Sequence, residues 1–333
     1  MYANRIPLYR ELEARRKTKL ILFVTGDRRG LETQIHQEVI GFFSDHLDAI
    51  GDCEKVSLYL YTQGGATLAA WSIANLIHQY CEQFEVIVPS KAHSAGTLIC
   101  LSAKTIVMTK QATLGPIDPS VNTPLNPPIP GGPPNLRYPV SVEAINGFIE
   151  LVKSAGVKSS SELGSVMSTI TSHVHPLVLG EVFRTRGQIK MLGRRLLSNH
   201  MKGKSKIDNI LSFLCSESGS HDYTINRQEA RDGLGLSVDF PDSEEYSIIK
   251  AIYSDIVAEL KLTEPLNPAL LLGQSNEVDY EFTRALLESV AAGSHRFMSR
   301  GHMSRRTIPD PAGITREAIE DRRTFEEWEH ATV

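Results

Sequence analysis

Cysteine is scarce in this chain, and no two of its four cysteines are close together in the sequence. Cys53, Cys81, Cys100 and Cys215 form no C-x-x-C motif. Cys81 and Cys100 fall within apolar patterns, where a free thiol behaves as a small hydrophobic group. This usage argues against a disulfide scaffold and a cysteine-based metal site. It predicts a cytoplasmic, reducing environment, with no disulfide, no metal and no cofactor.

Long apolar runs are missing as well. No run approaches the 18 or so residues that span a bilayer, and the first residues lack the apolar segment of a signal peptide. We therefore expect a soluble protein with no membrane span. The formal net charge of −4 argues against nucleic acid as the main partner. No phosphate-binding glycine loop is present, so any ATP dependence would come from a separate activator or ATPase.

Two short motifs stand at the ends of consecutive apolar runs. Residues 56–61 predict a buried strand that ends in Thr-Gln-Gly-Gly at 62–65. Residues 84–89 predict the next strand, which ends in Lys-Ala-His-Ser-Ala-Gly-Thr at 91–97. An apolar helix pattern follows each motif. Because consecutive parallel strands often lie side by side with their carboxyl ends at one edge, we expect the two motifs to be neighbours.

The residue types in these motifs suit acyl-transfer chemistry. Glycines let a turn expose free backbone N–H groups, and a serine at a helix N-terminus meets further unpaired N–H groups. Charge that develops on a carbonyl oxygen must meet donors already aimed at it. Taken singly, the glycines could form only a tight turn and the serine only a helix N-cap. Their joint occurrence on consecutive strand–helix units favours a serine hydrolase.

These motifs resemble those of a known family. Residues 56–119 resemble the Clp/crotonase fold, and more closely its serine peptidases ClpP, SppA and the stomatin-operon proteases. The pieces at 94–99 and 112–119 look like the stomatin-operon and archaeal SDH versions. The segment 221–236 resembles the closing part of the fold. The resemblance covers about residues 18–240 and is nearest to the SDH family of Clp-fold serine proteinases.

The resemblance implies an α/β fold, a ClpP/crotonase-type spiral of βα units with a helical handle. The apolar pattern at 243–262 predicts a helix in a helical C-terminal extension, and the charged tail from 304 predicts an exposed helix or arm. The predicted parts are an N-terminal helical arm at 1–17, a catalytic domain at 18–240 with a Pro-rich loop at 116–139 and handle-like helices at 141–200, and a C-terminal extension at 241–333.

Carried over by position, the resemblance implies that Ser94 is the nucleophile and that the backbone N–H groups of Gly65 and Ala95 form the oxyanion hole. A general base does not carry over in the same way. The loop at 114–119 lacks the histidine of ClpP-type enzymes, and Glu143 stands about where SppA-like enzymes have a lysine.

The histidines remain as candidate bases. His175 precedes a proline at the first turn of a predicted helix, where a side chain can project freely. Asp222 aligns with the aspartate that orients the histidine of ClpP-type triads, so the predicted catalytic set is Ser94, His175 and Asp222. His221 and His93 are the alternatives. A capping or packing role for His175 and a turn-forming role for Asp222 also stay open.

Three classes of function compete. The first is a soluble serine peptidase that acts through a Ser94 acyl-enzyme on a protein or peptide substrate. The second is a catalytically silent assembly or regulatory protein that keeps the fold without a base. The third is a crotonase-type acyl-CoA enzyme, for which Glu143 or Asp118 would supply the acid. In the first two classes the resemblance implies a homo-oligomer, either a ring or a stack.

Overall fold

The computed structural model describes residues 1–117, 120–133, 135–157, 159–217, 220–309 and 315–331. Contacts divide the chain into two compact units, each described here by itself. The first unit is Met1–Leu114 with Asn226–Val333, and the second unit is Gly115–Ile225. The domain boundaries predicted at residues 17 and 240 stay a prediction.

The helices in chain order are α1 (Tyr2–Arg16), α2 (Val39–Ile50), α3 (Thr67–Ile77), α4 (Ala95–Cys100), α5 (Val142–Ser154), α6 (Ser160–His173), α7 (Pro176–Ser198), α8 (Lys204–Ser212), α9 (Ser243–Leu260) and α10 (Pro268–Leu272). Short π-helical turns occur at Phe213–Glu217 and Glu229–Gly233. The strands are β1 (Lys19–Thr25), β2 (Cys53–Tyr61), β3 (Cys81–Val88), β4 (Lys91–Ala92), β5 (Thr105–Met108), β6 (Thr113–Leu114), β7 (Ser120–Val121), β8 (Val140–Ser141), β9 (Ile225–Asn226), β10 (Val238–Asp239), β11 (Glu277–Ser289), β12 (Gly293–Pro309) and β13 (Thr315–Ala331).

An eight-stranded sheet organises the first unit, in the order β10-β5-β3-β2-β1-β11-β12-β13. The strands from β10 to β1 are parallel, and β11, β12 and β13 continue the sheet in antiparallel fashion. The last six residues of β1 and of β2 are all buried, as expected for parallel strands covered on both faces. The parallel strands therefore bring their carboxyl ends to one edge.

Helix α1 is tied to the sheet by a buried charge. Arg5 is fully buried, and its guanidinium pairs with Glu288 of β11 at 2.7 Å. Glu288 also accepts a hydrogen bond from the hydroxyl of Tyr9 at 2.5 Å. Since a buried charge is tolerated only when it is paired, this cluster fixes the N-terminal helix against the antiparallel part of the sheet.

The mixed α/β class predicted from the sequence is confirmed. The three helices expected in the handle region are observed as α5, α6 and α7 in the second unit. There the short strands β7 and β8 pair at either end of the Pro-rich loop. Val121 and Val140 from these strands pack with Val178 and Val182 of α7. None of the helices in the described ranges is long and apolar enough to cross a membrane.

Of the helix or arm predicted after residue 304, the helix is wrong. That segment forms the end of β12 and the whole of β13, and these strands pair from Ser294↔Ala331 to Pro309↔Thr315 with one register shift at Arg300/Gly301. Helix α9 does form where the apolar pattern predicts it. The tail escapes pattern analysis because most side chains of β13 are exposed. Its strand state follows from backbone pairing with β12 and not from an apolar period.

Candidate functional site

Ser94 occupies a strained position between β4 and α4. It is the N-cap of α4, with φ 51° and ψ −115°, and it is one of three non-glycine residues with positive φ in the described ranges. Such a conformation costs of order 1–3 kcal/mol in a non-glycine residue and recurs at active sites. The side chain is half-buried, and within the described ranges its hydroxyl makes no hydrogen bond. The backbone thus presents an unengaged hydroxyl at a turn.

The diglycine bend lies directly against Ser94. Gly64 has φ 115°, and a methyl group there would lie 2.7 Å from Cβ of Ser94 and 3.2 Å from the amide nitrogen of Ala95. Gly65 has φ 144°, and a methyl group there would lie 2.3 Å from the carbonyl oxygen of Ile35. Both positions therefore require glycine, for space as well as for backbone conformation.

The amide of Gly65 is left unengaged by the hydrogen bonds around it. Ile35 donates its N–H to the Gly64 carbonyl at 2.8 Å and accepts the Ala66 N–H at 2.8 Å. Gly64 donates its own N–H to the hydroxyl of Thr62 at 2.9 Å. No acceptor within the described ranges takes the N–H of Gly65 or that of Ala95.

A pair of threonines fixes the strand end beneath this bend. The hydroxyls of Thr25, at the end of β1, and Thr62, just after β2, lie 2.6 Å apart. Gly96 of α4 approaches the same point, since a methyl group there would lie 2.4 Å from Cγ2 of Thr62. The sequence analysis assigned no role to either threonine, although Thr62 directly follows the strand predicted at 56–61.

Asp27 gathers three donors at the same edge of the sheet. It accepts hydrogen bonds from Lys91 Nζ at 2.7 Å, Tyr61 at 2.7 Å and Gln63 at 2.9 Å. Burial opposes ionisation of this carboxyl, but the bonds from Lys91, Tyr61 and Gln63 outweigh it and lower the pKa of Asp27. An ionised Asp27 therefore holds Lys91, three residues before Ser94, in one position.

His93, the residue before Ser94, contacts β6. Its Nε2 lies 2.9 Å from the hydroxyl of Thr113 in β6. Its backbone N–H donates to Thr62 and its carbonyl accepts from Gly96. These contacts fit a residue that holds the turn in place.

The other predicted catalytic residues belong to the second unit. His175 is exposed and caps α7, because its Nδ1 accepts the N–H of Leu177 at 3.2 Å. Asp222 is exposed, and its backbone N–H donates to the Ser220 hydroxyl at 3.2 Å. His221 is also exposed. The capping alternative for His175 is thus observed, and the assignment of His175 and Asp222 to catalysis stays a prediction.

Two further candidates fall outside what is described. Asp118 lies outside the described residues, and the side chain of Glu143 does as well. Within the described ranges, no group of three His, Cys, Asp or Glu side chains could hold a metal ion.

A strained serine, two unengaged amides and a glycine bend pressed against them are the parts of an acyl-transfer site. Residues 2–129 match the family described as ClpP-like SDH-type serine proteinases. This match confirms the resemblance predicted from the sequence, and it supports a serine peptidase in general.

The chain also has relatives among the proteins of Methanocaldococcus jannaschii. It is 27% identical over 272 residues to the uncharacterized protein MJ0137, covering 77% of this chain and 80% of that protein. It is 30% identical over 184 residues to the uncharacterized protein MJ1495, covering 55% of this chain and 51% of that protein. The chain thus spans about half the length of the second relative.

Solved structures with a similar fold include two proteases. A variant of the 1510-N membrane-bound stomatin-specific protease aligns with TM-score 0.40 and 16% identity, over 68% of this chain and 83% of that one. ClpP1 from Listeria monocytogenes aligns with TM-score 0.36 and 15% identity, over 71% of this chain and 97% of that one.

Proposed function

We propose that this protein is a serine peptidase that cleaves peptide bonds through an acyl-enzyme on Ser94. The Ser94 oxygen attacks the scissile carbonyl, and the N–H groups of Gly65 and Ala95 bind the oxyanion that forms. The observation that carries this proposal is that Ser94, whose backbone has a positive φ, packs so closely against the glycine bend that a methyl group on Gly64 would lie 2.7 Å from its Cβ. A residue with only a structural role would not need that conformation.

A fluorophosphonate probe tests the nucleophile. The wild-type protein should be labelled, and Ser94→Ala should not. Ser90→Ala is the matched control, because Ser90 precedes β4 on the same connection and is also half-buried. Labelling that persists in Ser94→Ala would refute the assignment, whereas hydrolysis of casein that disappears with Ser94 would extend it to peptide bonds.

The proposed base is His175, oriented by Asp222. The capping bond supports a condition on this role: when Nδ1 accepts from Leu177, the neutral ring carries its proton on Nε2. His175 must therefore release its cap and carry its proton on Nδ1 instead, so that Nδ1–H can donate a hydrogen bond to Asp222 while Nε2 acts as the base. His175→Gln should reduce the labelling rate by about a hundredfold or more, while the exposed neighbour His173→Gln should not. If His175→Gln keeps the wild-type labelling rate, the general base would instead be His221 or His93.

A catalytically silent protein is the second candidate. The observation that favours it is that the imidazole of His175 already caps α7, through the hydrogen bond that Nδ1 accepts from the N–H of Leu177. A folded wild-type protein that no fluorophosphonate labels, at any pH from 6 to 9, would favour this reading over the peptidase.

Self-association is part of the proposal. Helices of the second unit expose large apolar side chains, among them Leu151, Leu177 and Phe183, which is 79% exposed. Exposed apolar patches mark interaction surfaces, so we expect a homo-oligomer. Sedimentation should give a mass that is a multiple of 36.9 kDa. A monomer at micromolar concentration would contradict it.

A further inference from the structure

A cleft opens in the first unit between the segment 32–38 and the antiparallel strands. Its volume is about 330 Å³, and its lining includes Glu32, His36, Glu38, Arg284, Phe297 and Trp328. This volume lies within the range of sites that bind small ligands or single side chains. The C-terminal strands, to which the sequence assigns no role, therefore form one wall of a cleft.

The chain segment that lines the cleft is hydrogen-bonded to the diglycine bend. Gln34 and His36 line it, and Ile35 between them bonds to both sides of Gly65, through the Gly64 carbonyl and the Ala66 N–H. A single stretch of chain thus forms the wall of the cleft and pairs with the bend that touches Ser94. A peptide lying along the bend would have side chains within reach of the cleft.

The aromatic residues give the cleft an apolar floor. The rings of Phe297 and Trp328 lie 5.7 Å apart, and Trp328 Nε1 donates to the Glu38 carboxylate at 3.2 Å. Apolar faces with a carboxylate at their edge suit a side chain that has a hydrocarbon stem and a positive head, by stem packing and cation–π attraction.

Arg284 does not make the cleft basic. Its guanidinium is 10% exposed and pairs with Glu326. Its Nε donates to the Leu31 carbonyl at 3.0 Å and its Nη2 to that of Glu32 at 2.5 Å. Its charge is therefore paired with a carboxylate, and its Nε and Nη2 are bonded to the backbone of Leu31 and Glu32.

Two carboxylates are left for a ligand. Within the described ranges, neither Glu32 nor Glu38 forms an ion pair with a lysine or an arginine. The backbone N–H of Gly30 lowers the pKa of Glu32, so this carboxylate is charged at neutral pH. The charges of Arg284 and Arg29 also act on Glu32, but Arg284 is shared with Glu326, so carboxylates outnumber arginines and lysines in the lining of the cleft.

We propose that this cleft is a substrate subsite that takes a cationic side chain, arginine or lysine, of an extended peptide. The inference rests on the proposed peptidase function, of which it names the substrate class. The cleft, its aromatic side chains and the hydrogen bonds between its lining segment and the diglycine bend locate the subsite, and the two carboxylates decide the charge of its occupant.

Binding to the inactive Ser94→Ala protein tests the subsite apart from catalysis. The probes are two fluorescein-labelled pools of random octapeptides that differ only at one central position, arginine in one and citrulline in the other. We expect the arginine pool to bind about tenfold more tightly, a preference that weakens in 0.5 M salt. Adding Glu32→Gln and Glu38→Gln together should reduce the preference to about twofold or less.

The matched control is Glu327→Gln in the same Ser94→Ala background. Glu327 is an exposed carboxylate of β13, lies next to Glu326 and is absent from the lining of the cleft. Its removal should leave the preference near tenfold. Equal binding of the two pools, binding of neither pool, or a preference unaffected by the double substitution would each overturn the proposal. Wild-type protein that cleaves neither pool while the binding preference stands would instead refute the peptidase function alone.

Discussion

Gly64 and Ser94 are in contact across the carboxyl edge of the sheet, so that a methyl group on Gly64 would lie 2.7 Å from Cβ of Ser94. The two residues come from different strand–helix connections, after β2 and after β4. Their contact brings the glycine bend against the turn that carries the serine. Each part of the proposed chemistry depends on this approach.

Gly64→Ala should separate the bend from the serine. The added methyl group would also meet the His93 carbonyl oxygen at 3.0 Å, and φ is 115°. We expect fluorophosphonate labelling to slow by about a hundredfold or more, as for the loss of an oxyanion donor. Gly51→Ala is the control, since Gly51 has φ 72° but nothing within 4 Å of the added group. It should cost about 1–2 kcal/mol of stability and leave the labelling rate unchanged; equal rates in both variants would contradict the contact.

Gly96→Ala tests the packing of α4 against Thr62, just after the end of β2. The methyl group would lie 2.4 Å from Cγ2 of Thr62, so α4 must shift and carry the amide of Ala95 with it. We expect slower labelling and a loss of about 1–3 kcal/mol in the free energy of unfolding. Gly41 lies within α2 with nothing within 4 Å of such a group, and Gly41→Ala should gain about 0.5–1 kcal/mol. Urea unfolding of the two variants measures both changes in free energy. A Gly96→Ala protein with wild-type stability and a wild-type labelling rate would refute the close packing of α4 against Thr62.

Asp27→Asn should weaken the attachment of β4, the short strand that precedes Ser94. Removing the charge weakens the bonds from Lys91, Tyr61 and Gln63, at a cost of about 1–3 kcal/mol at pH 7. Because folding lowers the pKa of Asp27, its charge stabilises the protein fully above about pH 4. That contribution is lost as pH falls through the folded value. The difference in unfolding free energy between wild type and variant should therefore shrink below about pH 4. A pH-independent difference, or an equal loss in the exposed Asp52→Asn, would contradict this.

His46 should make the first unit acid-sensitive. It is fully buried, and its ring nitrogens lie 2.7 Å from the Ser289 hydroxyl and 3.0 Å from Nδ1 of His295. Burial, with His295 and His330 nearby, lowers the pKa of His46 to about 3. Below about pH 6.5, the ordinary pKa of histidine, His46 binds a proton in the unfolded chain but not in the folded chain. The free energy of unfolding therefore decreases as the pH decreases.

The measurement is the slope of unfolding free energy between pH 6 and pH 4. His46→Gln should lower this slope by up to about 1.4 kcal/mol per pH unit. His36→Gln, which removes a side chain that is 69% exposed, should leave it unchanged. Equal slopes in wild type and His46→Gln would show that His46 is protonated in the folded state.

The central strands and the serine turn could be predicted from the sequence because their signals are local. The runs in β1, β2 and β3 are apolar and nearly continuous, as parallel strands buried on both faces must be. Ser94 and Gly65 follow such runs directly. Because the carboxyl ends of parallel strands lie at one edge of a sheet, Ser94 and Gly65 are predicted to be close to each other.

The antiparallel strands and the base could not be predicted in the same way. Arg305 pairs with Ile319 and Arg300 with Phe325 across β12 and β13, so most of the strand signal lies in pairing and not in periodicity. The helix cap at His175 uses the same imidazole nitrogen that a catalytic aspartate would hold. Local sequence offers equal support for both roles.

The most direct test of the central claim is a crystal structure of the protein after reaction with a fluorophosphonate. The account predicts a covalent bond from the phosphorus to Oγ of Ser94, with one phosphonyl oxygen about 2.7–3.1 Å from the amide nitrogens of both Gly65 and Ala95. An adduct whose oxygens lie away from these amides, or one formed on another residue, would contradict it.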